Sequence, residues 1–121
     1  MPLVDAGIDM FHASNRRYWE PEFEGSNLNL AGWTKKLTGL PTITVGSVGL
    51  KSDFIGLYAG EDAVESQSID DLVKRMEADE FDMVAIGRAL LSDPEWVKKV
   101  KAGDFEEIIP FEKKYAREVY F

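Results

Sequence analysis

The chain has 121 residues, the length of one ordinary domain, and its 45% hydrophobic and 12% aromatic content is enough to build a core. A net charge of −8 disfavours nucleic acid or an anionic membrane as a general partner, but leaves room for a local amide-lined or basic pocket holding a phosphate. With no cysteine and one histidine, His12, disulfides, thiolate metal sites, iron–sulfur clusters, cysteine nucleophiles and multi-histidine sites are excluded within one chain.

The start, "MPLVDAGIDMF", lacks the basic region and apolar run of a signal peptide, and no segment is long enough to span a bilayer. A cytoplasmic protein is expected. Ala6-Gly7 resembles the end of a helix. The first strand is expected in "IDMFHA", Ile8 to Ala13, followed by the long polar loop "SNRRYWEPEFEGSN". A helix follows at about Leu28 to Leu37, where Leu30, Trp33, Thr34 and Leu37 keep the spacing of one buried stripe.

The second strand is "TITV", Thr42 to Val45, opened by Pro41 and ended by Gly46, and another long loop runs to Gln67. Ser68 then caps a helix, with Asp71 completing a capping box and Ile69, Leu72, Val73 and Met76 as its apolar stripe. The third strand, "FDMVAI", passes through Gly87 to a helix capped by Asp93, with Pro94 in its first turn. Val97 and Val100 are expected to face inward, and Gly103 to stop the helix. A last amphipathic segment runs from Phe111 to Val119.

Strands alternating with helices define an α/β chain built of parallel βαβ units with right-handed crossovers. The second and third strands are short apolar runs, as expected when both faces are covered. A small doubly wound sheet and part of a (β/α) barrel both fit this pattern. Three parallel strands make a poor complete sheet, because both edges stay open. A full barrel needs about 250 residues. The expectation is therefore a partial TIM (β/α)8 barrel, one incomplete domain over residues 1–121.

Ligands in parallel α/β folds bind at the carboxyl ends of the strands. Those ends are His12-Ala13-Ser14, Gly46-Ser47-Val48-Gly49 and Gly87-Arg88. Two consecutive strands ending in glycine let backbone amides approach an anion, and Arg88 adds a charge-assisted contact. A phosphate is the natural occupant. Either glycine alone is better read as a tight turn; together, on a barrel-like pattern, they favour phosphate.

His12 lies near a strand end and could serve as a base, although its residue type favours a hydrogen-bonded interior position. Arg16, Arg17, Tyr18 and Trp19 could shape a ligand-site rim, but Arg pairing with Glu20, Glu22 or Glu24 is the better structural reading. Trp33 and Trp96 read as packing residues. Glu61-Asp62 and Glu106-Glu107 read as solvated faces.

The stretches "GIDMFHASNRRYWEPEFEGSNLNLAGWTKKLTG", "PTITVGSVG" and "FDMVAIGRALLSDPEWVKKVKAG" closely resemble consecutive parts of the Old Yellow Enzyme family of NADH:flavin oxidoreductases. The resemblance runs from about Leu3 to Phe111 and implies strands six to eight of an FMN-bearing (β/α)8 barrel. It implies that Gly46 and Ser47 match the strand-seven turn whose amides hold the FMN phosphate. Gly87 and Arg88 then match the strand-eight turn, and Val48 lies beside the flavin edge. In that family, hydride passes from NADH or NADPH to FMN and then to an activated alkene. The family's substrate-anchoring pair and proton-donating tyrosine lie on earlier strands, so no catalytic residue is assigned here, and His12 does not match that pair. The chain is expected to be inactive alone, completed by the missing barrel half or by self-association. A self-associating half-barrel binding a phosphorylated small molecule is the non-enzymatic alternative. Another phosphate-binding barrel, such as an isomerase or aldolase, explains the glycines but not "RRYWEPEFEGS" or "GRALLSDPEW".

Overall fold

The computed structural model describes residues 2–50, 63–64 and 68–112. In chain order the elements are α1 (Pro2–Asp5), β1 (Phe11–Ser14), α2 (Leu30–Thr38), β2 (Thr42–Val45), β3 (Ala63–Val64), α3 (Asp70–Glu77), β4 (Met83–Val84), α4 (Arg88–Ser92), α5 (Trp96–Ala102), a 3₁₀ turn (Phe105–Glu107) and β5 (Phe111–Glu112). The chain divides into two units, Met1–Gly46 with Asp70–Ala85, and Ser47–Ile69 with Ile86–Phe121.

The first unit is an α/β arrangement with a three-stranded parallel sheet in the order β1-β2-β4. Phe11 pairs with Thr42 and Ser14 with Val45; Ile43 pairs with Met83 and Thr44 with Val84. Strand order therefore follows chain order, as it does between consecutive strands of a βαβ series. In β2 the burial runs against a simple apolar pattern: Thr42 and Thr44 are wholly buried while Ile43 and Val45 are half-buried. Buried hydroxyls need partners. Thr42 Oγ1 donates to the Leu40 carbonyl at 3.1 Å, and Thr44 Oγ1 accepts from Asn15 and Asn29.

The first strand is shifted from the expected Ile8–Ala13. Gly7, at φ 95°, ends α1, and the Ile8 N–H bonds back to the Leu3 carbonyl at 3.4 Å, so Ile8 closes the helix rather than entering the ladder. Pairing starts where the Phe11 N–H reaches the Pro41 carbonyl at 3.0 Å, just before β2 begins. At the far edge, β4 is short, but the Asp82 and Ala85 N–H groups extend its pairing to the Thr42 and Thr44 carbonyls.

Helix α2 corrects two expectations. It begins at Leu30 rather than Leu28, because Asn29 caps it by accepting the Gly32 N–H at 2.8 Å. Gly39, at φ 70°, ends it. The stripe expected to be buried is not: Leu30 is 37% exposed and Leu37 60%, whereas Ala31 and Gly32 are buried. Small side chains let α2 lie close to β1 and β2. A Cβ on Gly32 would already sit 3.0 Å from Leu28 Cδ2. The large side chains project sideways and, with Leu3, Phe11 and Phe23, line a cavity of about 370 Å³.

In α3 only Leu72 of the expected stripe is buried; Val73 and Met76 are exposed, and the helix starts two residues after Ser68. Its Arg75 guanidinium reaches the Trp19 carbonyl at 3.2 Å, the Asn27 carbonyl at 3.0 Å, Asp71 at 2.8 Å and Glu80 at 3.4 Å. One side chain thus fastens two points of the long loop after β1.

In the second unit β3 and β5 pair antiparallel, Ala63 with Glu112 and Val64 with Phe111. Helix α4 was not expected; it occupies the stretch between Gly87 and Asp93. Asp93 does not cap α5 as expected: the helix begins at Trp96 with Glu95 as its N-cap and Pro94 ahead of it, and the Asp93 carboxylate instead accepts the Glu95 N–H at 3.1 Å in the turn before the helix. The same carboxylate accepts Lys99 Nζ at 2.7 Å and the Ile109 N–H at 3.1 Å. Burial raises the pKa of this carboxyl, but those hydrogen bonds and the Lys99 charge outweigh it and hold it below its ordinary value. Trp96 is buried, as expected of a packing residue, and Gly103 ends α5 at φ 78°. Val97 does not face inward, being 55% exposed; Val100 is half-buried. Glu106 and Glu107 are exposed. Glu61, Asp62, most of the loop after Gly49 and, beyond Glu112, the amphipathic segment expected through Val119 lie outside the described residues. Among the described residues no helix is long and apolar enough to cross a membrane.

Candidate functional site

The carboxyl end of β2 is built around Asn15. Its carboxamide nitrogen lies 3.1 Å from the Ala13 carbonyl, 2.8 Å from Thr44 Oγ1 and 3.0 Å from the Val45 carbonyl. Its Oδ1 accepts the Leu30 N–H at 3.1 Å, at the start of α2. Gly46 follows at φ 145°, where a Cβ would meet the Asn15 carbonyl oxygen at 2.3 Å. No side chain fits there, so glycine is a steric requirement. The Gly46 carbonyl accepts the Tyr18 N–H at 3.0 Å.

Beneath this end, Asn29 is wholly buried and donates to the Tyr18 carbonyl at 2.9 Å and to Thr44 Oγ1 at 3.2 Å. Tyr18 is buried too, with its ring edge-on to Trp19 at 5.1 Å. Burial, then the nearby Asp71 charge, push its phenol pKa up, so it stays neutral in ordinary buffers. Arg17 pairs with Glu20 at 2.7 Å, the Arg–Glu pairing expected of this loop. His12 is exposed on β1, not the interior residue its type favoured.

The second unit carries the other candidate residues. Ser47 stands at φ 56°, an uncommon left-handed conformation for a non-glycine residue, and is nearly buried. Its carbonyl accepts the Leu50 N–H at 3.0 Å, closing a tight turn through Val48 and Gly49. Val48 is buried. The Arg88 guanidinium donates to Ser47 Oγ at 3.2 Å, so residues 41 positions apart meet side chain to side chain. Gly87 differs from Gly46: among the described residues a Cβ there would meet nothing within 4 Å, so no described neighbour demands glycine.

Sequence reading identified the glycines, Ser47 and Arg88, but missed Asn15 and Asn29. The signal for Asn29 was available, as an asparagine directly before a helical run is an N-cap signature. Nothing in the sequence marks Asn15, whose partners lie on three separate elements.

The fold and these turns define an α/β chain whose parallel strands end in tight, glycine-bearing turns. No protein-family model matches it. Among curated proteins it is similar to an NADH oxidase of Thermoanaerobacter brockii, 33% identical over 114 residues that cover 88% of this chain and 15% of the relative. The chain therefore spans about 15% of the length of that curated relative.

Proposed function

We propose that this chain is the carboxyl-terminal part of an FMN-dependent, NAD(P)H-oxidising flavin oxidoreductase of the Old Yellow Enzyme type. Its parallel units are three of the eight of a (β/α) barrel, and its turns hold the phosphate end of the cofactor. The observation that carries the reading is the Arg88–Ser47 hydrogen bond, which sets a guanidinium and a hydroxyl together beside the turn after β2. The similarity to an NADH oxidase supports the redox class.

The residues suit an anionic group. Arg88 is half-buried, where a charge-assisted contact to phosphate is stronger than at an open surface. Among the described residues nothing lies within 4 Å of the Gly87 Cβ position, so a phosphate oxygen can approach the backbone there. Ser47 Oγ orients the guanidinium and can also bond a phosphate oxygen. Gly46 ends β2 without a side chain. Val48 gives the flavin edge an apolar neighbour. Bound FMN supplies hydride acceptance from NADH or NADPH and its transfer to an activated alkene. No residue described here is assigned the proton transfer or the anchoring of substrate.

The rest of the barrel comes from further polypeptide. The short length relative to the NADH oxidase favours this, as does a sheet in which β1 and β4 each pair along one edge among the described residues. The test is titration with FMN, followed by flavin absorbance and fluorescence, with gel filtration to detect retained flavin. Retention that is lost in Arg88→Ala supports the site; failure of the chain to retain FMN refutes a working site in isolation. Alkene reduction by the chain without another polypeptide would contradict the incomplete-barrel reading.

The open edges also favour a second reading, a self-associating half-barrel with no redox role. A solution mass measurement giving a folded monomer excludes it.

A further inference from the structure

We infer that Asn15 is the positioning residue of the turn at Gly46, an inference that rests on the phosphate reading of that turn. Three observations converge on it. The side chain joins the ends of β1, through the Ala13 carbonyl, and β2, through Thr44 Oγ1 and the Val45 carbonyl, to the first helical N–H of α2. Its main-chain N–H also bonds the Val45 carbonyl, at 2.9 Å. Its own carbonyl oxygen lies 2.3 Å from where a Gly46 Cβ would be.

Gly46 is thus confined from two sides. The Asn15 peptide lies against its Cα, and the Tyr18 N–H holds its carbonyl. Because a peptide group is planar, fixing the Gly46 carbonyl also fixes the direction of the amide that follows it. Asn15 therefore sets the aim of that amide without touching the ligand.

The chemistry requires an amide at position 15. Its nitrogen faces three acceptors and its oxygen faces a donor. Aspartate has the same shape but no donor, and turns a charged oxygen toward two carbonyls and a hydroxyl. The carbonyl of Asn15 is then pushed from its place against Gly46.

The test uses the full chain with Asn15→Asp and, as a variant that keeps a small donor, Asn15→Ser. FMN affinity, binding stoichiometry and thermal midpoint are measured, together with the Gly46 and Ser47 amide resonances and their hydrogen exchange. Expected for Asn15→Asp is unchanged stoichiometry, FMN affinity weaker by about tenfold or more, and shifted, faster-exchanging amides at 46 and 47. Asn15→Ser is expected to lie between it and wild type. Reduced stoichiometry with unchanged affinity means a role in stability alone and overturns the inference; so does unchanged affinity in both variants. If the wild-type chain binds no FMN, a working site in the isolated chain fails separately. The amide measurements then decide: unmoved resonances at 46 and 47 overturn the positioning role, and moved ones support it.

Discussion

The indole of Trp96 lies against Gly49, so close that a Cβ on the glycine would meet Cζ2 at 3.1 Å and Nε1 at 3.2 Å. Gly49 also stands at φ 74°, which side chains disfavour. The tight turn from Ser47 and the start of α5 are thereby packed on each other within one unit. Gly49→Ala is expected to destabilise by about 1–2 kcal/mol from the backbone conformation, with any displacement of the buried indole adding to it. Denaturant unfolding followed by Trp fluorescence measures both the loss and the displacement.

Gly46 and Gly87 separate a glycine whose Cβ position is blocked from one whose Cβ position is clear of the described residues. Gly46→Ala sets a Cβ into the Asn15 carbonyl and is expected to cost roughly 2–4 kcal/mol or prevent folding. Gly87→Ala meets nothing within 4 Å among the described residues and is expected to cost less than Gly46→Ala. If Gly87 lies under a phosphate, the same substitution weakens FMN binding. Stable protein with wild-type FMN affinity would remove Gly87 from the proposed site.

Asp93 makes the second unit sensitive to acid. Burial raises its pKa, yet the bonds from Lys99 and from the Ile109 and Glu95 N–H groups win and leave it lowered. Such a carboxyl adds stability that is full above the unfolded value, about 3.9, and lost as pH falls through the lower folded value. Asp82 is lowered too, by hydrogen bonds from Lys35 and the Thr42 N–H, and acts with the same sign. Asp93→Asn is expected to lose about 2 kcal/mol at neutral pH and to show a shallower, but not flat, loss of stability below about pH 4. Chemical denaturation at a series of pH values measures the slope; an unchanged slope would show that Asp93 does not carry it.

Asn29 is both helix cap and buried donor, with bonds to Gly32, Tyr18 and Thr44. Asn29→Ala leaves a buried Tyr18 carbonyl without this donor and α2 without its cap. The expected cost is about 2–3 kcal/mol, against less than about 0.5 kcal/mol for Leu37→Lys at a 60% exposed position. Thermal or denaturant melts of the two variants give the comparison. A larger loss for Leu37→Lys would mean that this face is covered in solution.

Much of the secondary structure was legible in local sequence. "TITV" between Pro41 and Gly46 forms β2 with the expected bounds, and Gly7 and Gly103 end helices at positive φ. These are signals of backbone conformation and of near-neighbour hydrogen bonds, which a few adjacent residues are enough to set. Side-chain direction was less legible. The spacing of Leu30, Trp33 and Leu37 is helical, but periodicity says only that they share a side, not what covers it. The close approach of α2 to the sheet through Ala31 and Gly32 decided that. The first strand began late for a similar reason, since a ladder starts only where its partner does.

By itself the sequence determined an α/β chain of strand–helix units, the glycine-ended turns at positions 46 and 87, and the residue types at those turns. Tertiary structure alone decided that Arg88 bonds Ser47 and that Asn15 holds Ala13, Thr44, Val45 and Leu30 at once. It also decided that Gly46 must be glycine, because a carbonyl oxygen lies 2.3 Å from where its Cβ would be, while no described residue crowds that position at Gly87. The physical reason is separation along the chain. Partners 29 or 41 residues apart leave no local trace, and hydrogen bonds between them exist only once the strands have paired.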